Sequence, residues 1–194
     1  ELEAEVKSRN EEIEYKLTYD SLTKLFSRYS FFRDIDTLDA PVIILLDIDK
    51  FRVINEVYGS TIGSKVLEKF AMYLSLHIEE ETCLLYRLSA DEFAIVDMSK
   101  ETDVHKYERL VEKLFHELNN LKIKIDEYTI SVDITIGLST AKENIYETAK
   151  IALDYAKKNK IPFLIYSKSI DHRKESGLTL KCRDDILAAI EDKR

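Results

Sequence analysis

Cysteine is nearly missing from this chain: Cys83 and Cys182 are the only two among 194 residues. Two thiols leave no room for a disulfide framework. Cys83 opens an apolar stretch, which predicts a buried thiol in a reducing compartment. Long apolar runs are missing too. The longest is Val42–Leu46, far short of a bilayer span, so no membrane contact is expected from this segment. No signal-peptide pattern opens the chain. It begins on Glu1, as expected of a piece cut from a longer protein. Basic residues are outnumbered, 29 against 37 acidic, for a net charge of −8. That excludes a duplex nucleic-acid binder, which needs a basic footprint, but not a local cationic pocket for a nucleotide. The four histidines, His77, His105, His116 and His172, show no metal-ligand spacing. No Ser or Cys sits in a nucleophile elbow. No repeat or low-complexity tract is visible.

What is present is a globular pattern, 45% hydrophobic and 34% charged. Residues 1–17 contain no Gly or Pro, and Leu2, Val6, Ile13 and Leu17 make a thin apolar stripe at helical spacing. Such a stripe suits a coiled-coil or signalling helix from an upstream domain, or a solvated helix docked on its own domain. A turn at Asp20–Thr23 and an amphipathic helix over 28–38 follow. Val42–Asp47 reads as a strand apolar on both faces, hence central in a sheet. Residues 61–78 and 103–119 predict amphipathic helices, and 84–97 a β-hairpin. Two strands are expected over 122–127 and 129–138, the second alternating Ile130, Val132, Ile134 and Ile136. Helix 144–158 presents Ala149, Ala152, Leu153 and Ala156, a slim face for close packing. Residues 163–166 read as an edge strand. This order predicts an α/β sandwich with a mixed sheet and helices over it. Three segments are expected: a signalling helix at 1–18, the folded domain at 19–167, and at 168–194 a linker containing Gly177 followed by another helix.

Carboxylates carry the chemistry. Asp47 ends the central strand, where α/β sheets hold ligands, and Asp49 follows it. Asp91 and Glu92 sit at the hairpin tip within Leu88-Ser89-Ala90-Asp91-Glu92-Phe93. A hairpin lying beside the central strand would make Asp47 and Asp91 converge. With a strand-end carbonyl they form an oxygen-rich site suited to Mg²⁺, which brings phosphate with it. Helix capping and solubility are the alternative reasons for acids at such positions. Gly59 and Gly63 precede a helix N-terminus, which favours anions, or simply shape a loop.

Several segments together resemble the GGDEF family, the diguanylate cyclase domains of bacterial signalling. Tyr19–Arg28 is similar to the family's opening D-x-L-T-x-L-x-N-R pattern, with Ser27 for Asn. DIDKFRVINEVYGSTIG at 47–63 resembles its D-x-D-x-F-K-x-x-N-D-x-x-G-H-x-x-G block. RLSADEF at 87–93 matches R-x-G-G-D-E-F except at the two glycines. VDITIGLS at 132–139 resembles T-x-S-x-G-x-A, and Ala156-Lys157 the start of A-K-x-x-G-R-N. The resemblance implies a five-stranded mixed central sheet flanked by helices, related to adenylyl cyclase and polymerase palm domains. It implies that two domains, each holding one GTP and Mg²⁺, face each other to make cyclic di-GMP. Carried over by position, Asp47, the Ile48 carbonyl and Asp91 would ligate Mg²⁺, and Glu92 would assist with charge or proton transfer. The Lys50 and Phe51 amides, Arg52 and Lys157 would meet phosphate. Asn55 would read guanine, with the Ser64 position beside it and Ser89 and Ala90 under the nucleotide.

The departures fall on the ligand. Ser89 and Ala90 replace turn glycines, so the tip either strains or rebuilds. Ser64 replaces the Asp that pairs with guanine N–H groups, and Ser60 the usual His. Ile161 stands where a second phosphate cation belongs, and Lys160 where a glycine does. Glu80-Glu81-Thr82-Cys83 replaces the R-x-x-D of the product site. These changes imply a degenerate, catalytically impaired regulatory domain in the cytoplasmic part of a larger protein, one that can be anchored in a membrane. It would lie between an upstream sensor and an EAL-like phosphodiesterase domain suggested by residues 180–190. It would bind GTP or another nucleoside triphosphate and pair with a second copy. The alternatives are a weak diguanylate cyclase, a nucleotidyl-transfer or hydrolysis activity with altered base preference, and a pure scaffold.

Overall fold

The structure, a computed structural model, describes residues 2–39, 41–78, 82–99 and 103–170. Gly177, the helix expected over 178–194, His172, Cys182, Glu80 and Glu81 therefore lie outside the described residues. Helix α1 spans Leu2–Thr18, β1 Phe26–Ser27, α2 Arg28–Ile35 and β2 Val42–Ile48. Then come α3 Phe51–Tyr58, α4 Ser60–His77, β3 Cys83–Arg87 and β4 Glu92–Asp97. The remainder is α5 Val104–Leu118, β5 Leu121–Ile125, β6 Tyr128–Val132, β7 Ile134–Ser139, α6 Ile145–Asn159 and β8 Phe163–Ile165.

The main sheet has six strands in the order β1-β3-β4-β2-β7-β8. The strand beyond the expected five is β1, only two residues long, paired parallel to β3 through Phe26↔Tyr86. Strand β2 runs antiparallel to both neighbours, β4 and β7, and all seven of its residues are buried. That explains its unbroken apolar run, since a strand covered on both faces has no solvent side to make polar. Ile44, Leu46 and Ile48 pack with Phe93, Val66 and Phe70 on one face. Ile43 and Leu45 pack with Tyr86, Phe31 and Leu153 on the other.

Helix α6 lies unusually close to that second face. A Cβ on Gly137 of β7 would stand 2.4 Å from the Leu153 backbone nitrogen and 2.7 Å from the Ala149 carbonyl oxygen. Only a glycine beneath and a slim Ala149, Ala152, Ala156 face above permit this approach, and all three alanines are fully buried.

Three expectations need correction, and one helix was not foreseen. The strand foreseen over 129–138 divides at Asp133. β6 pairs with β5 in a separate two-stranded sheet, while β7 joins the main sheet. The alternation of Ile130, Val132, Ile134 and Ile136 runs through the break, so periodicity alone does not show it. At the break the Asp133 carbonyl accepts the Asp49 N–H at 2.9 Å. Helix α3 is a separate element before α4. Gly59, at φ 84 and ψ 157 with nothing within 4 Å of a Cβ position, divides the two. Its requirement for glycine is one of backbone conformation. Cys83 is half-buried rather than buried. Ile170, placed in a linker, is 4% exposed and packs with Ala152, Ala156, Ile161 and Leu164.

Helix α1 is exposed along residues 3–17, with Val6 51%, Ile13 54% and Leu17 46% exposed. It joins the domain through its last turn. There the Tyr15 and Tyr19 rings meet tilted at 4.9 Å, Ser30 Oγ donates to the Thr18 carbonyl at 2.9 Å, and Ser27 Oγ donates to that of Leu17. Burial on its own domain is therefore not what holds most of α1.

Helix α6 ends on Lys160, which is left-handed at φ 54 and donates its N–H to the Ala156 and Lys157 carbonyls. A glycine is at ease there and a lysine is not. Lys160→Gly is expected to raise stability by about 1 kcal/mol, read as a higher urea midpoint at unchanged m. A lower midpoint would show that the Lys160 side chain does more than tolerate the cap.

Candidate nucleotide and metal site

The sheet register assembles the acids. Asp47 stands directly opposite Glu92 across the β2–β4 ladder, and the Ile48 N–H donates to the Asp91 carbonyl at 3.0 Å. Asp47 and Glu92 are each 6% exposed, whereas Asp91 at the tip is half-buried. Side chains alternate along a strand, so Asp47 shares a face with Leu45, and Glu92 with Ala94. That is the face α6 covers. Lys157 Nζ donates to Asp47 Oδ1 at 2.6 Å, and Lys150 Nζ pairs with Glu92 Oε2. The two lysines lie seven residues apart, about two helical turns, hence on one side of α6.

Burial pushes the Asp47 carboxyl up from an ordinary 3.8 to about 6. Lys157 pulls against that, and the neighbouring charges of Asp91 and Glu92 add to it. Asp49 is tied to the neighbouring strand: both its oxygens accept from Thr135 Oγ1, at 2.9 and 3.1 Å, and Thr135 stands opposite Asp47 across the β2–β7 ladder. That bond and the Asp49–Asp133 backbone contact hold the loop between β2 and α3.

The hairpin tip is rebuilt. Ser89 and Ala90 are exposed, and neither has positive φ. The turn closes through the Leu88 N–H on the Glu92 carbonyl at 2.8 Å. Arg87 then grips it from behind: Nε donates to the Ser89 carbonyl at 3.1 Å and Nη2 to that of Ala90 at 2.9 Å. Its Nη1 donates to Asp20 Oδ1 at 3.0 Å. Asp20 also accepts from the Thr23 N–H and hydroxyl, both at 2.7 Å. Burial alone would raise the Asp20 carboxyl, but Thr23 and Arg87 outweigh it and hold it below its ordinary value. A chain of charge-assisted bonds thus ties the turn after α1 to the tip. A cavity of about 800 Å³ opens on that side, lined among others by Tyr19, Lys24, Arg28, Arg87 and Ser89. None of the acids at the end of β2 lines it, so it is separate from them.

The remaining candidates divide. Lys50 is left-handed at φ 55 and starts α3, and Phe51 is 5% exposed with its ring in the core. The first N–H groups of a helix have no partner within it, so their amides suit an anion. Arg52 points outward: its side chain is 88% exposed and pairs with Glu56 at 3.0 Å. Asn55 lies against α4, its Oδ1 1.9 Å from where a Gly63 Cβ would be. Glycine at 63 therefore lets the Asn55 amide settle one residue from Ser64, which is half-buried. Ile161 is 4% exposed inside an apolar cluster, so no cation is supplied there. Lys150 was not foreseen; its spacing from Lys157 is the signal that could have found it.

These motifs have counterparts elsewhere. Residues 17–161, well over half the chain, match the family described as diguanylate cyclase, GGDEF domain. The chain belongs to the GGDEF family. A probable diguanylate cyclase of Escherichia coli, DgcT, is 28% identical over 152 residues, 71% of this chain and 33% of its own length. The signaling protein YkoW of Bacillus subtilis is 26% identical over 162 residues, 79% of this chain and 20% of its own length. The chain thus spans between a fifth and a third of these relatives. Among solved structures, the coiled coil and GGDEF domain of DgcB from Caulobacter crescentus, in complex with c-di-GMP, superposes with a TM-score of 0.71. It is 18% identical, with 84% of this chain and 92% of that one covered, which shows the shared fold.

In this GGDEF domain the donor set at the end of β2 is all oxygen. Among the described residues, no three His, Cys, Asp or Glu side chains form a group that could hold an ion alone. Two carboxylates and a carbonyl are a smaller set. They suit Mg²⁺, which keeps several waters and takes phosphate oxygens. Burial raises the Asp47 carboxyl and the charges of Asp91 and Glu92 add to it; a cation would favour the ionised form against both, so the donor set fits one. Among the described residues no helix is long and apolar enough to cross a membrane.

Proposed function

We propose that this GGDEF domain is a regulatory module of a bacterial cyclic di-GMP signalling protein, one that binds a Mg²⁺-nucleotide but is impaired in joining two GTP molecules. The observation that carries the reading is the Lys157–Asp47 pair at 2.6 Å beside Asp91. Cation, acids and the start of α3 stand together, which is the charge pattern a triphosphate with its metal needs. In this reading Asp47, the Ile48 carbonyl and Asp91 hold Mg²⁺, which supplies charge to the phosphates when bound. Lys157 exchanges from Asp47 to a phosphate oxygen, and the Lys50 and Phe51 amides receive another. Arg52, released from Glu56, reaches the phosphates only at the rim. Asn55 contacts the base from beside Gly63, with Ser64 too short to accept the guanine N–H groups as a carboxylate would. Glu92 holds charge at the reacting end.

Impairment is supported by several features. Ser64 and the buried Ile161 remove a base acceptor and a phosphate cation. The tip carrying Ser89 and Ala90 is held by Arg87 in a turn without left-handed residues. The domain sits in the cytoplasm between an upstream sensor, reached through α1, and an EAL-like domain that starts with the helix expected over 178–194. α1 offers its exposed stripe to a second copy. The retained Asp47, Asp91 and Glu92 favour a second reading, a weak diguanylate cyclase.

The test mixes the protein with GTP or ATP and Mg²⁺, follows cyclic di-GMP and triphosphate loss, and titrates both nucleotides. Expected is binding with less than about tenfold preference for GTP and no cyclic di-GMP. Cyclic di-GMP that disappears in Asp91→Ala would overturn the impairment and establish the second reading. Absence of all nucleotide binding would leave a scaffold.

A further inference from the structure

Lys150 has no part in the reading above, yet it pairs with an acid buried as deeply as Asp47. The Glu92 side chain is 8% exposed and that of Lys150 33% exposed. A second contact of Lys150, to Asp154 Oδ1 at 3.7 Å, is a surface pair whose acid is 63% exposed. A carboxylate this buried needs a counter-charge held in place. Glu92 has one that is covalently part of the fold, delivered by the middle of α6 where the helix is pressed onto Gly137. Lys157 differs. It lies in the last turn of α6, where the helix ends, rather than in the stretch pressed onto Gly137.

We propose that Lys150 is a built-in counter-ion that reserves Glu92, so that this sheet end takes up one divalent cation, at Asp47 and Asp91, in exchange for Lys157. An ammonium on Glu92 supplies the charge a second cation would bring and repels that cation from the same carboxylate. The inference rests on Mg²⁺-nucleotide binding as proposed above. It goes further in setting the number of ions and in giving Lys150 a positioning role toward Glu92.

The test is Mn²⁺ titration of the 194-residue protein, read by the electron paramagnetic resonance signal of free Mn²⁺, with and without GTP. Wild type is expected to bind one ion. Lys150→Gln is expected to take a second, or to bind roughly tenfold tighter, because Mn²⁺ replaces the lost counter-charge on Glu92. Its melting temperature should also rise with Mn²⁺ more than that of wild type. Lys150→Arg should behave as wild type. The double variant Lys150→Gln/Glu92→Gln, which removes the buried charge together with its counter-ion, should lose the second ion again, and it shows by its folding whether the unpaired Glu92 is what destabilises Lys150→Gln. Two ions in wild type, a Lys150→Gln titration within about twofold of it, or a second ion kept by the double variant each overturn the inference alone. No Mn²⁺ on any variant, with or without GTP, overturns the nucleotide reading along with it.

Discussion

Gly137→Ala is expected to cost about 3 kcal/mol, at the upper end for adding one methyl group to a packed interior. The reason lies in what the new Cβ meets. Its nearest neighbours are the Leu153 nitrogen at 2.4 Å, and the Ala149 oxygen and Leu153 Cα, both at 2.7 Å. All three belong to the backbone of α6, which has no rotamer to give way. The helix must lift, and with it Lys150 and Lys157. The variant should therefore lose stability and the lysine–acid pairs together. Urea unfolding measures the first. Protection of the α6 amides in hydrogen exchange measures the second, and it should fall along the whole helix. A loss below about 1 kcal/mol would mean that α6 does not rest on β7 as described.

Asp47→Asn is expected to do the opposite to stability while removing ion binding. Asp47 is nearly sheathed, and burial raises its carboxyl from 3.8 to about 6. The native state therefore keeps a proton that the unfolded chain has already released. Between about pH 4 and about pH 6 the native state binds more protons than the unfolded state. Stability consequently falls as pH rises through that window and stays lower above it. A shift of two units corresponds to about 3 kcal/mol at neutral pH. Asparagine cannot ionise, so it escapes this cost but gives up the Lys157 pair. A net gain of about 1–2 kcal/mol at pH 7, and none at pH 4, is the expected balance. Urea midpoints of both proteins at the two pH values measure it. Equal differences at both would sink the account. Divalent-cation and Mg²⁺-nucleotide binding should fall by at least about tenfold in the same variant, since the best oxygen donor is lost.

The two variants bracket what this sheet end has to balance. Three acids beside one another repel, and burial worsens it. α6 answers with two lysines, brought close enough only because Gly137 and the alanines thin the interface. Under the proposed function, stability is thus set against ligand binding at the same atoms, as is common where charged groups are held for use rather than for folding.

Much of the candidate site was legible in the chain. Asp47, Asp91 and Glu92 were identifiable because a strand end and a hairpin tip are local patterns, and an acid at either stands out against apolar neighbours. The α6 alanines announced close packing for the same reason. Three features were not legible. Nothing in the chain near Arg87 points to Asp20, and that bond exists only when residues 67 apart meet. Asp133 breaks a strand whose alternation never falters. Arg52, expected at phosphate, instead turns to Glu56 four residues along its own helix.

The sequence by itself determined most of the order of elements, the central place of β2, the acids at its end and the family to which the chain belongs. Each depends on spacing along one stretch of backbone, which a linear pattern records. Only the tertiary structure decided that Lys157 and Lys150 neutralise Asp47 and Glu92, that the tip closes without left-handed residues, and that α1 stays exposed. Those outcomes depend on which helix lies over which strand end and at what distance. A Coulomb interaction or a methyl-sized clearance is a property of separation in space, and residues 110 apart in the chain can stand 2.6 Å apart.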